Sequence, residues 1–277
     1  MFYFYAILSI VLVPILNNFF DILLQSYSWW LVPVLIIGFF VAFVLIHMIW
    51  VIVTFSFVNY DSDPAKGQKY YRALIKGTVS LLVPLTRTKI NLSGMLPEDV
   101  PTDRKMMFVC NHQHDFDPAV IWDTFPNNDI GFIGKKEIYK TMPLVGKVMH
   151  KLYGLPIDRE NNREGAKTII KAINLIKEDK ASIAVFPEGY TSLECKLLPF
   201  RNGVFKIALK AKAPIVVCAI SGTRQIPKRM FRKRTEVDFC ICDILYPEDY
   251  ENMNTNEIGD IVHKKMEDAL SKMRPGL

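Results

Sequence analysis

The stretch that decides the fold reads KMMFVCNHQHDFDP and covers residues 105–118. Residues 106–110 form a short apolar run, which predicts a buried strand. The loop that follows holds two histidines and two aspartates within six positions: His112, His114, Asp115 and Asp117. In α/β proteins, reactive side chains are commonly carried by the loops that follow buried strands. The stretch therefore predicts an α/β domain with a functional site at the end of this strand.

Beyond this loop, apolar runs of strand length alternate with segments of helical periodicity. The predicted strands cover residues 130–134, 182–186, 214–220 and 237–245, and the last of them is expected near the edge of the sheet. The predicted helices cover residues 161–177, 203–211 and 255–273. Asn161, with Glu164 three positions later, resembles a capping box at the start of the first helix. Strands that alternate with helices in this way indicate a layered α/β fold.

The N-terminal 60 residues differ in composition from the rest of the chain. They contain no Lys or Arg and a single acid, Asp21, whereas the whole chain of 277 residues carries 34 basic and 28 acidic residues. Two apolar runs, residues 2–20 and 29–58, lie within this part, and a spanning helix needs about 20 such residues. This split excludes a wholly soluble, a wholly embedded or a disordered chain. It predicts a membrane anchor followed by a basic globular domain.

Two arrangements of the anchor fit the sequence. Both runs span the membrane as a hairpin with a short turn at residues 21–28, or the pair enters one leaflet and returns. The second arrangement stays open because Pro14, Asn17, Asn18 and Pro33 interrupt the apolar runs, and breaks at depth need local protein cover. His47 is interpreted as a residue that faces the helix bundle.

Charge predicts the orientation of the anchor. The first basic residues all follow the second apolar run: Lys66, Lys69, Arg72, Lys76, Arg87 and Lys89. The positive-inside rule places that side, and with it the rest of the chain, in the cytoplasm. Residues 68–90 mix these cations with apolar residues, which is typical of an interfacial segment or of an amphipathic helix packed on the domain.

The spacing within the first loop suggests a His–Asp pair. His112 and Asp117 are five residues apart, so a turn can fold the carboxylate back onto the imidazole. The carboxylate would fix the tautomer, and the imidazole would accept a proton. A dinuclear zinc site would require an H-x-H-x-D-H run, but Phe116 and Asp117 occupy its last two positions. We therefore expect no metal here, and a polar turn that caps the next helix does not explain His112.

Cysteine use indicates reduced thiols, because the five cysteines include no C-x-x-C pair and the domain is large enough to build its own core. Cys240 and Cys242 would share one face of a strand, where simple packing is the plain interpretation. Cys110 lies close to His112, but as the end of a buried strand it is expected in the core. We do not predict it to be a nucleophile.

Two further loops carry groups suited to chemistry. Residues 154–159, GLPIDR, end a short strand with Asp158 and Arg159. Residues 186–208 begin with Glu188 and Gly189 after a strand and continue into a Pro-Phe-Arg-Asn-Gly run that opens a helix. A glycine in such a loop lets backbone N–H groups approach an anion, and a helix N-terminus adds to that effect.

Taken in order, these blocks resemble the glycerolipid acyltransferase family, whose best-known members are the 1-acylglycerol-3-phosphate acyltransferases. The family's N-H-x4-D motif is matched by Asn111, His112 and Asp117. Its second block resembles residues 154–159. Its F-P-E-G-T-R-S motif and the following L-P-F-x-x-G are matched by Phe186, Pro187, Glu188, Gly189, Ser192, Leu198, Pro199, Phe200 and Gly203. The resemblance covers residues 70–245, and the preceding anchor is similar to that of bacterial members.

The resemblance implies a glycerolipid-acyltransferase-like layered αβ domain behind a two-helix membrane anchor, and an activity without a cofactor. A fatty acyl group would move from acyl-ACP or acyl-CoA to the sn-2 hydroxyl of lysophosphatidic acid and give phosphatidic acid for phospholipid biosynthesis. His112 would act as general base and Asp117 would orient it. The residues expected to bind the acceptor and its phosphate are Lys135, Arg159, Glu188, Gly189, Thr191, Ser192 and Arg201. The lipid bilayer is the expected partner, in the cell membrane.

The resemblance and the composition divide the chain into a membrane anchor at residues 1–60, an interfacial linker or helix at residues 61–100 and a catalytic domain at residues 101–277.

One departure from the family's motifs bears on the substrate. Where the family has T-R-S, this chain has Tyr190, Thr191 and Ser192, so the arginine expected at the phosphate is missing. Either another cation replaces it, or the acceptor is a different lysolipid or acyl-polyol. The alternative from another functional class is a lipid-binding protein without catalytic activity.

A second basic cluster comprises Arg224, Lys228, Arg229, Arg232, Lys233 and Arg234. Such a run is also found in nucleic-acid-binding proteins. A membrane anchor and a single interleaved aromatic residue, Phe231, argue against that partner, and we expect no nucleic acid. Anionic lipid, an acidic acyl-carrier protein and the phosphates of coenzyme A remain as alternatives, beside a simple solvated loop.

Overall fold

A computed structural model describes residues 1–20, 30–192, 196–230 and 232–273, with only the backbone of residues 17–20. The helices are α1 (Phe2–Phe20), α2 (Leu31–Ser56), α3 (Gln68–Leu85), α4 (Asp117–Thr124), α5 (Ile138–Thr141), α6 (Pro143–Lys151), α7 (Asn162–Lys177), α8 (Lys206–Ala211), α9 (Ile226–Arg229), α10 (Pro247–Tyr250) and α11 (Thr255–Lys272). The strands are β1 (Thr88–Gly94), β2 (Met107–Cys110), β3 (Ile130–Lys135), β4 (Leu155–Ile157), β5 (Ser182–Val185), β6 (Ile215–Ser221) and β7 (Thr235–Leu245).

The seven strands form one sheet in the order β1-β7-β6-β2-β5-β3-β4. The five strands from β6 to β4 run parallel, β7 is antiparallel to β6, and β1 is parallel to β7. The alternation of strands and helices therefore predicted the α/β class correctly. The loops that follow the five parallel strands all lie at one edge of the sheet, called here the active-site edge because the His112 loop is one of them.

The sheet separates two hydrophobic cores. Phe108 and Cys110 of β2 face a core that also contains Val120 and Ile121 of α4. Met107 and Val109, which alternate with them along the strand, face the opposite core, under α7, α8 and α11. Alternation across a strand buried on both faces explains why residues 106–110 are apolar without interruption.

Strand β1 lies inside the stretch that the sequence assigns to a linker. Its register with β7 runs from Thr88 opposite Thr235 to Gly94 opposite Ile241. Without β1, the long strand β7 would expose an unpaired edge, which is prone to aggregation. The sheet thus begins at Thr88, and the linker prediction for residues 61–100 is corrected in this respect. The alternation in TKINLSG is too weak for a confident strand prediction.

The N-terminal segment consists of two apolar helices. Helix α2 is long and apolar enough to cross a membrane, and α1 contains a shorter apolar stretch, Phe2–Leu16. His47 of α2 is buried, with Nδ1 2.9 Å from the Tyr5 hydroxyl and Nε2 3.1 Å from Thr78 Oγ1. This agrees with the interpretation that His47 faces the bundle. The predicted turn at residues 21–28 lies outside the described residues, so the hairpin and re-entrant arrangements both remain open.

Helix α3 occupies most of the segment for which two alternatives were predicted. One face buries Ile75 and Val79 among residues of α2, α4 and α6 in a separate hydrophobic cluster. Arg72 forms an ion pair of 3.2 Å with Asp129 at the start of β3. This face therefore has the packing predicted for an amphipathic helix on the domain. Contact of the opposite face with a bilayer stays a prediction.

Most predicted boundaries agree with the structure to within two residues. Asn161 is the N-cap of α7 and accepts hydrogen bonds from the backbone N–H groups of Arg163 and Glu164. The predicted helix at residues 203–211 divides into a 3-10 turn, Asn202–Phe205, followed by α8. Cys240 and Cys242 share one face of β7, as predicted, whereas Cys195 lies outside the described residues.

Candidate active site

His112 and Asp117 form a pair at the active-site edge. Strand β2 ends at Cys110, and α4 begins at Asp117, so the intervening loop turns the carboxylate back towards the imidazole. Nδ1 of His112 lies 2.7 Å from Oδ2 of Asp117. An ionised carboxylate only accepts hydrogen bonds, which places the proton on Nδ1 and leaves the lone pair of Nε2 pointing away from Asp117. The geometry predicted from the spacing of five residues is therefore present.

Asp117 is fully buried and accepts three hydrogen bonds besides that of the imidazole. Oδ2 accepts the backbone N–H groups of Gln113 at 2.6 Å and His114 at 2.9 Å. Oδ1 accepts the hydroxyl of Thr223 at 2.6 Å. A carboxylate held by this many donors is fixed in position, and its charge is compensated despite the burial. The carboxylate therefore holds one orientation for the imidazole.

Glu188 connects the His112 loop to the segment after β5. Its Oε1 accepts the backbone N–H of His112 at 2.7 Å, and Oε2 accepts that of Leu198 at 2.8 Å. The side chain is 3% exposed, and this burial raises the pKa of its carboxyl, although the two N–H groups oppose the shift. Ser192 adds a second link, because its backbone N–H donates to the carbonyl of His112 at 2.8 Å. Glu188 thus shapes the site through the backbone.

The Glu188→Gln variant tests this role. An amide has one acceptor oxygen, so either the His112 or the Leu198 N–H would face an NH₂ group and lose its partner. Leaving a buried donor unpaired costs about 1–3 kcal/mol. We expect the free energy of unfolding to fall by this amount in chemical denaturation, with a smaller loss for the exposed control Glu160→Gln. Equal stability of the two variants would contradict the assigned role of Glu188.

Aromatic stacking fixes the imidazole from a second side. The ring of Phe186 lies parallel to His112, with centroids 4.2 Å apart and an interplanar angle of 15°. Phe186 in turn stacks on Phe132 of β3 at 5.9 Å.

Cys110 is buried in the core, as predicted. This burial raises the pKa of its thiol well above its ordinary value, which disfavours the thiolate that a nucleophile needs.

Two cavities lie at the active-site edge. One, of about 700 Å³, is lined by apolar residues of α7 such as Ile169 and Ile173, with Arg159 and Arg201 among its polar residues. The other, of about 300 Å³, is polar and is lined by residues including His114, Asp115, Thr191, Arg224 and Lys228. Among the described residues, no group of three or more His, Cys, Asp or Glu side chains could hold a metal ion.

Comparison with known proteins finds similarity to acyltransferases. The family model described as acyltransferase matches residues 90–221. The 1-acyl-sn-glycerol-3-phosphate acyltransferase of Haemophilus influenzae is 25% identical over 222 residues, which cover 79% of this chain and 87% of that protein. The Saccharomyces cerevisiae protein of the same name is 30% identical over 173 residues, or 61% of this chain and 55% of the yeast protein.

The matched segment, residues 90–221, is an acyltransferase domain.

The resemblance of its motifs is thus confirmed, and the protein is an O-acyltransferase. A crystal structure of the 1-acyl-sn-glycerophosphate acyltransferase from Thermotoga maritima has the same fold, with a TM-score of 0.63 and 22% sequence identity. That similarity covers 82% of this chain and 88% of the other. It confirms the layered α/β domain with preceding N-terminal helices.

In this acyltransferase, Tyr190 stands in the family motif where a threonine is usual. Its ring lies between two guanidinium groups, those of Arg159 and Arg201, each 5.4 Å from the ring centroid. Arg201 also donates to the Tyr190 hydroxyl at 3.3 Å and to the Arg159 carbonyl at 3.1 Å. In the described part of the chain, neither guanidinium forms an ion pair with a carboxylate. Two cations held together without an acid form a suitable site for an anion.

Burial lowers the pKa of Arg159, and the neighbouring charge of Arg201 adds to that shift, but an arginine with this pKa stays charged near neutral pH. Gly189 has a φ of +75°, and a Cβ there would lie 3.1 Å from Nε of Arg201. Glycine is therefore required both by the backbone conformation and by the approach of Arg201.

The remaining predicted site residues lie at the same edge but play different parts. Lys135 ends β3 and is half exposed, 4.0 Å from Glu137. Thr191 is exposed and lines the polar cavity, whereas Ser192 is buried and its carbonyl accepts from Arg224 at 3.3 Å. The structure thus brings Arg159 and Arg201 together with Tyr190, and leaves Lys135 outside this group.

Three positioning residues were not predicted from the sequence. Thr223 contacts Asp117 across 106 positions of sequence. Asn111 exchanges two hydrogen bonds with the backbone of Ile220, at 2.9 and 2.8 Å, and Gln113 accepts the N–H of Gly222 at 3.0 Å. Asn111 was noticed as a motif residue without a role. No local pattern marks Thr223, because its importance arises from the pairing of β2 with β6.

Proposed function

We propose that this protein is a membrane-bound acyltransferase that moves a fatty acyl group from acyl-ACP or acyl-CoA to the sn-2 hydroxyl of lysophosphatidic acid, forming phosphatidic acid in phospholipid biosynthesis. The single observation that carries the proposal is the His112–Asp117 pair, with its 2.7 Å hydrogen bond and a fully buried carboxylate. The relatives that carry the name 1-acyl-sn-glycerol-3-phosphate acyltransferase support this choice of acceptor.

In the first step, Nε2 of His112 takes the proton of the acceptor hydroxyl while that oxygen attacks the thioester carbonyl. The new C–O bond forms, and the carbonyl π electrons move to oxygen to give a tetrahedral oxyanion. Asp117 holds Nδ1–H and stabilises the positive charge that develops on the imidazole. Phe186 restricts the ring to the plane in which Nε2 reaches the substrate.

In the second step, the oxyanion re-forms the carbonyl and the C–S bond breaks. The sulfur leaves as a thiolate and takes the proton from Nε2 of His112, which regenerates the neutral imidazole. Neither step needs a covalent acyl-enzyme or a redox cofactor, because the proton and the electron pair are accounted for by the two substrates and one histidine. His112 and Asp117 are the catalytic machinery in this proposal.

We assign the acceptor phosphate to the pair of guanidinium groups around Tyr190. Arginine binds phosphate through several N–H donors, and two unpaired guanidinium groups provide the charge that the missing third-motif arginine would supply. Gly189 gives Arg201 room, and Glu188, Thr191 and Ser192 shape the loop between this pair and His112. Lys135, at the end of β3, provides a further cation at the same edge.

The Arg159→Gln variant tests this assignment. With lysophosphatidic acid, we expect KM to rise about 10–100-fold with little change in kcat, since a charge-assisted hydrogen bond contributes about 1.5–3 kcal/mol. The control is Arg163→Gln, an exposed arginine four positions later, in the first turn of α7. An acceptor without a phosphate should show no change in KM in either variant. A similar KM for both variants with lysophosphatidic acid would contradict the assignment.

A second candidate acceptor, another lysolipid or an acyl-polyol, is favoured by Tyr190 and Thr191 at the positions of the family's Thr-Arg pair. A phenol ring stacked between guanidinium groups could also contact a sugar or polyol. Purified enzyme supplied with a mixed pool of lysophosphatidic acid, other lysolipids and monoacylglycerol, and with acyl-CoA or acyl-ACP, decides between them. Mass spectrometry should detect phosphatidic acid as the main product. If no acyl transfer occurs with any donor, the proposed activity is wrong.

We also propose that the domain sits on the cytoplasmic face of the cell membrane. The support is the apolar exterior of α1 and α2, where side chains such as Ile7, Ile37 and Ile46 are more than half exposed, together with the basic residues that follow. Exposed hydrocarbon on this scale needs a lipid environment. The division into anchor, interfacial segment and catalytic domain remains part of this proposal, with the sheet starting at Thr88.

A further inference from the structure

The connection between β6 and β7 is a basic segment, defined here as residues 224–230 and 232–234. It carries six cations and no acid. Lys228, Arg232, Lys233 and Arg234 are exposed, whereas Ile226 is buried in the core on the α4 side of the sheet. In the described part of the chain, Arg232, Lys233 and Arg234 form no ion pair. The acids that follow on β7, Glu236 and Asp238, each accept a hydrogen bond from Asn91 of β1.

The basic segment lies at the active-site edge. It follows β6, which is parallel to β2, and Thr223 immediately before it donates to Asp117. Just after its other end, the backbone N–H of Thr235 donates to the carbonyl of Arg87 at 3.1 Å. Arg87 directly follows the C-terminal end of α3, so the segment starts beside the catalytic pair and ends beside this helix end.

Helix α3 runs from the opposite edge of the sheet towards the active-site edge. Near its start, Arg72 pairs with Asp129 and Lys76 donates to Asn127, both of which precede β3. Helix α2 runs the other way along α3, since Phe55 contacts Tyr71 and His47 contacts Thr78. The part of α2 before His47 therefore points towards the active-site edge.

Helix lengths show that α2 projects past this edge. At 1.5 Å per residue, α3 extends about 10 Å beyond Thr78, whereas α2 extends about 24 Å beyond His47. The projecting half is apolar and exposed at Val34, Ile37, Val41, Leu45 and Ile46. The basic segment lies at the base of this projection and on the same side of the sheet. Ile226 joins the core that α4 covers, and α2 and α3 form a neighbouring cluster that meets this core at Trp122 of α4.

We propose that the basic segment is a docking surface for anionic lipid headgroups, which holds the active-site edge against the bilayer into which α2 inserts. A helix that projects apolar side chains past a group of cations reproduces the order of hydrocarbon and headgroup in a membrane. Each juxtamembrane cation strengthens association with an anionic surface by about 1 kcal/mol, or roughly fivefold. An acidic carrier protein would have to compete with the bilayer for this surface, and it is an alternative outcome of the test.

This inference rests on the proposed membrane association but not on the proposed reaction, so its test measures binding without turnover. The full chain is equilibrated between vesicles of phosphatidylcholine alone and vesicles that also contain 30 mol% phosphatidylglycerol. The apolar helices insert equally into both, so the distribution ratio reports headgroup charge. For the variant Arg232→Glu, Lys233→Glu, Arg234→Glu, we expect the preference for anionic vesicles to fall on the order of a hundredfold.

The matched control reverses three exposed cations that precede β2, β5 and β6 at the edge away from the active site: Arg104 in a loop, Lys177 at the end of α7, and Lys212 directly after α8. It changes the net charge by the same amount, and we expect less than about a threefold effect, because charges beyond a Debye length are screened. Equal losses in both variants would overturn the proposal, since net charge alone would then explain them. So would an unchanged ratio accompanied by weaker binding of acyl-ACP, which would assign the surface to the carrier protein.

Discussion

The His112→Ala variant is expected to lose about 10³-fold or more in kcat while its thermal unfolding stays close to that of the parent protein. In the proposed mechanism, this variant removes the group that accepts the proton of the acceptor hydroxyl, and general-base catalysis contributes about 10²–10⁴-fold. The imidazole is 14% exposed and contacts Phe186 and Asp117 at the edge of the core, so its removal leaves the strands unchanged. Steady-state kinetics with lysophosphatidic acid and calorimetric unfolding measure the two properties.

His114→Ala is the matched control, because His114 lies in the same loop and stacks on Phe116 instead of Phe186. We expect this variant to lose less than about tenfold in kcat, the scale of an indirect effect. If His112→Ala retained full activity in vitro and full function in cells, the proposed reaction would be wrong. The interpretation as a non-catalytic lipid-binding protein would then be preferred.

The Asp117→Asn variant is expected to lose about 10³–10⁴-fold in kcat. An asparagine has one acceptor oxygen where the aspartate accepts four hydrogen bonds, from His112, Gln113, His114 and Thr223. If the amide NH₂ faces Nδ1, the imidazole must present a lone pair there and carry its proton on Nε2, which cannot then act as a base. A wrong tautomer of this kind costs about 10⁴-fold in a Ser-His-Asp triad.

Asp117→Asn is also expected to lower the free energy of unfolding, because at least one buried donor loses its acceptor at a cost of about 1–3 kcal/mol. The change in kcat is therefore measured at a temperature at which circular dichroism shows the variant to be folded. Asp115→Asn provides the control, since Asp115 is exposed in the same loop. Turnover by Asp117→Asn within tenfold of the parent protein would show that the carboxylate does not set the tautomer.

The sequence predicted the fold class because the strands and helices of each layer have a recognisable local pattern of apolar residues. Strands buried on both faces must be apolar throughout, and the helices between them must have one apolar stripe, so residues 106–110 and 161–177 were recognised within one residue. The weakest prediction was β1, a mostly polar edge strand with one pairing partner, which local composition does not distinguish from a linker.

The contact between His112 and Asp117 was also predicted from the sequence, because the two residues lie in one loop and need only a short turn to meet. Glu188, Arg159 and Arg201 were found as motif residues, but the partners of each were not. That Glu188 binds two backbone N–H groups, and that Tyr190 lies between two arginines, follow from the strand order β2-β5-β3-β4 in the sheet. Strand order depends on pairing between residues far apart in the chain, which a short stretch of sequence does not predict.

By itself, the sequence determined an apolar N-terminal segment, an α/β domain and a His–Asp loop, because burial, helical period and short-range turns are local properties. Only the tertiary structure decided that Thr223 completes the Asp117 site, that Arg159 and Arg201 share one tyrosine, and that α2 projects past the edge that carries the basic segment. These arrangements depend on which strands are neighbours and on the direction of α2 along α3. Both are settled by the packing of the whole domain against its two cores.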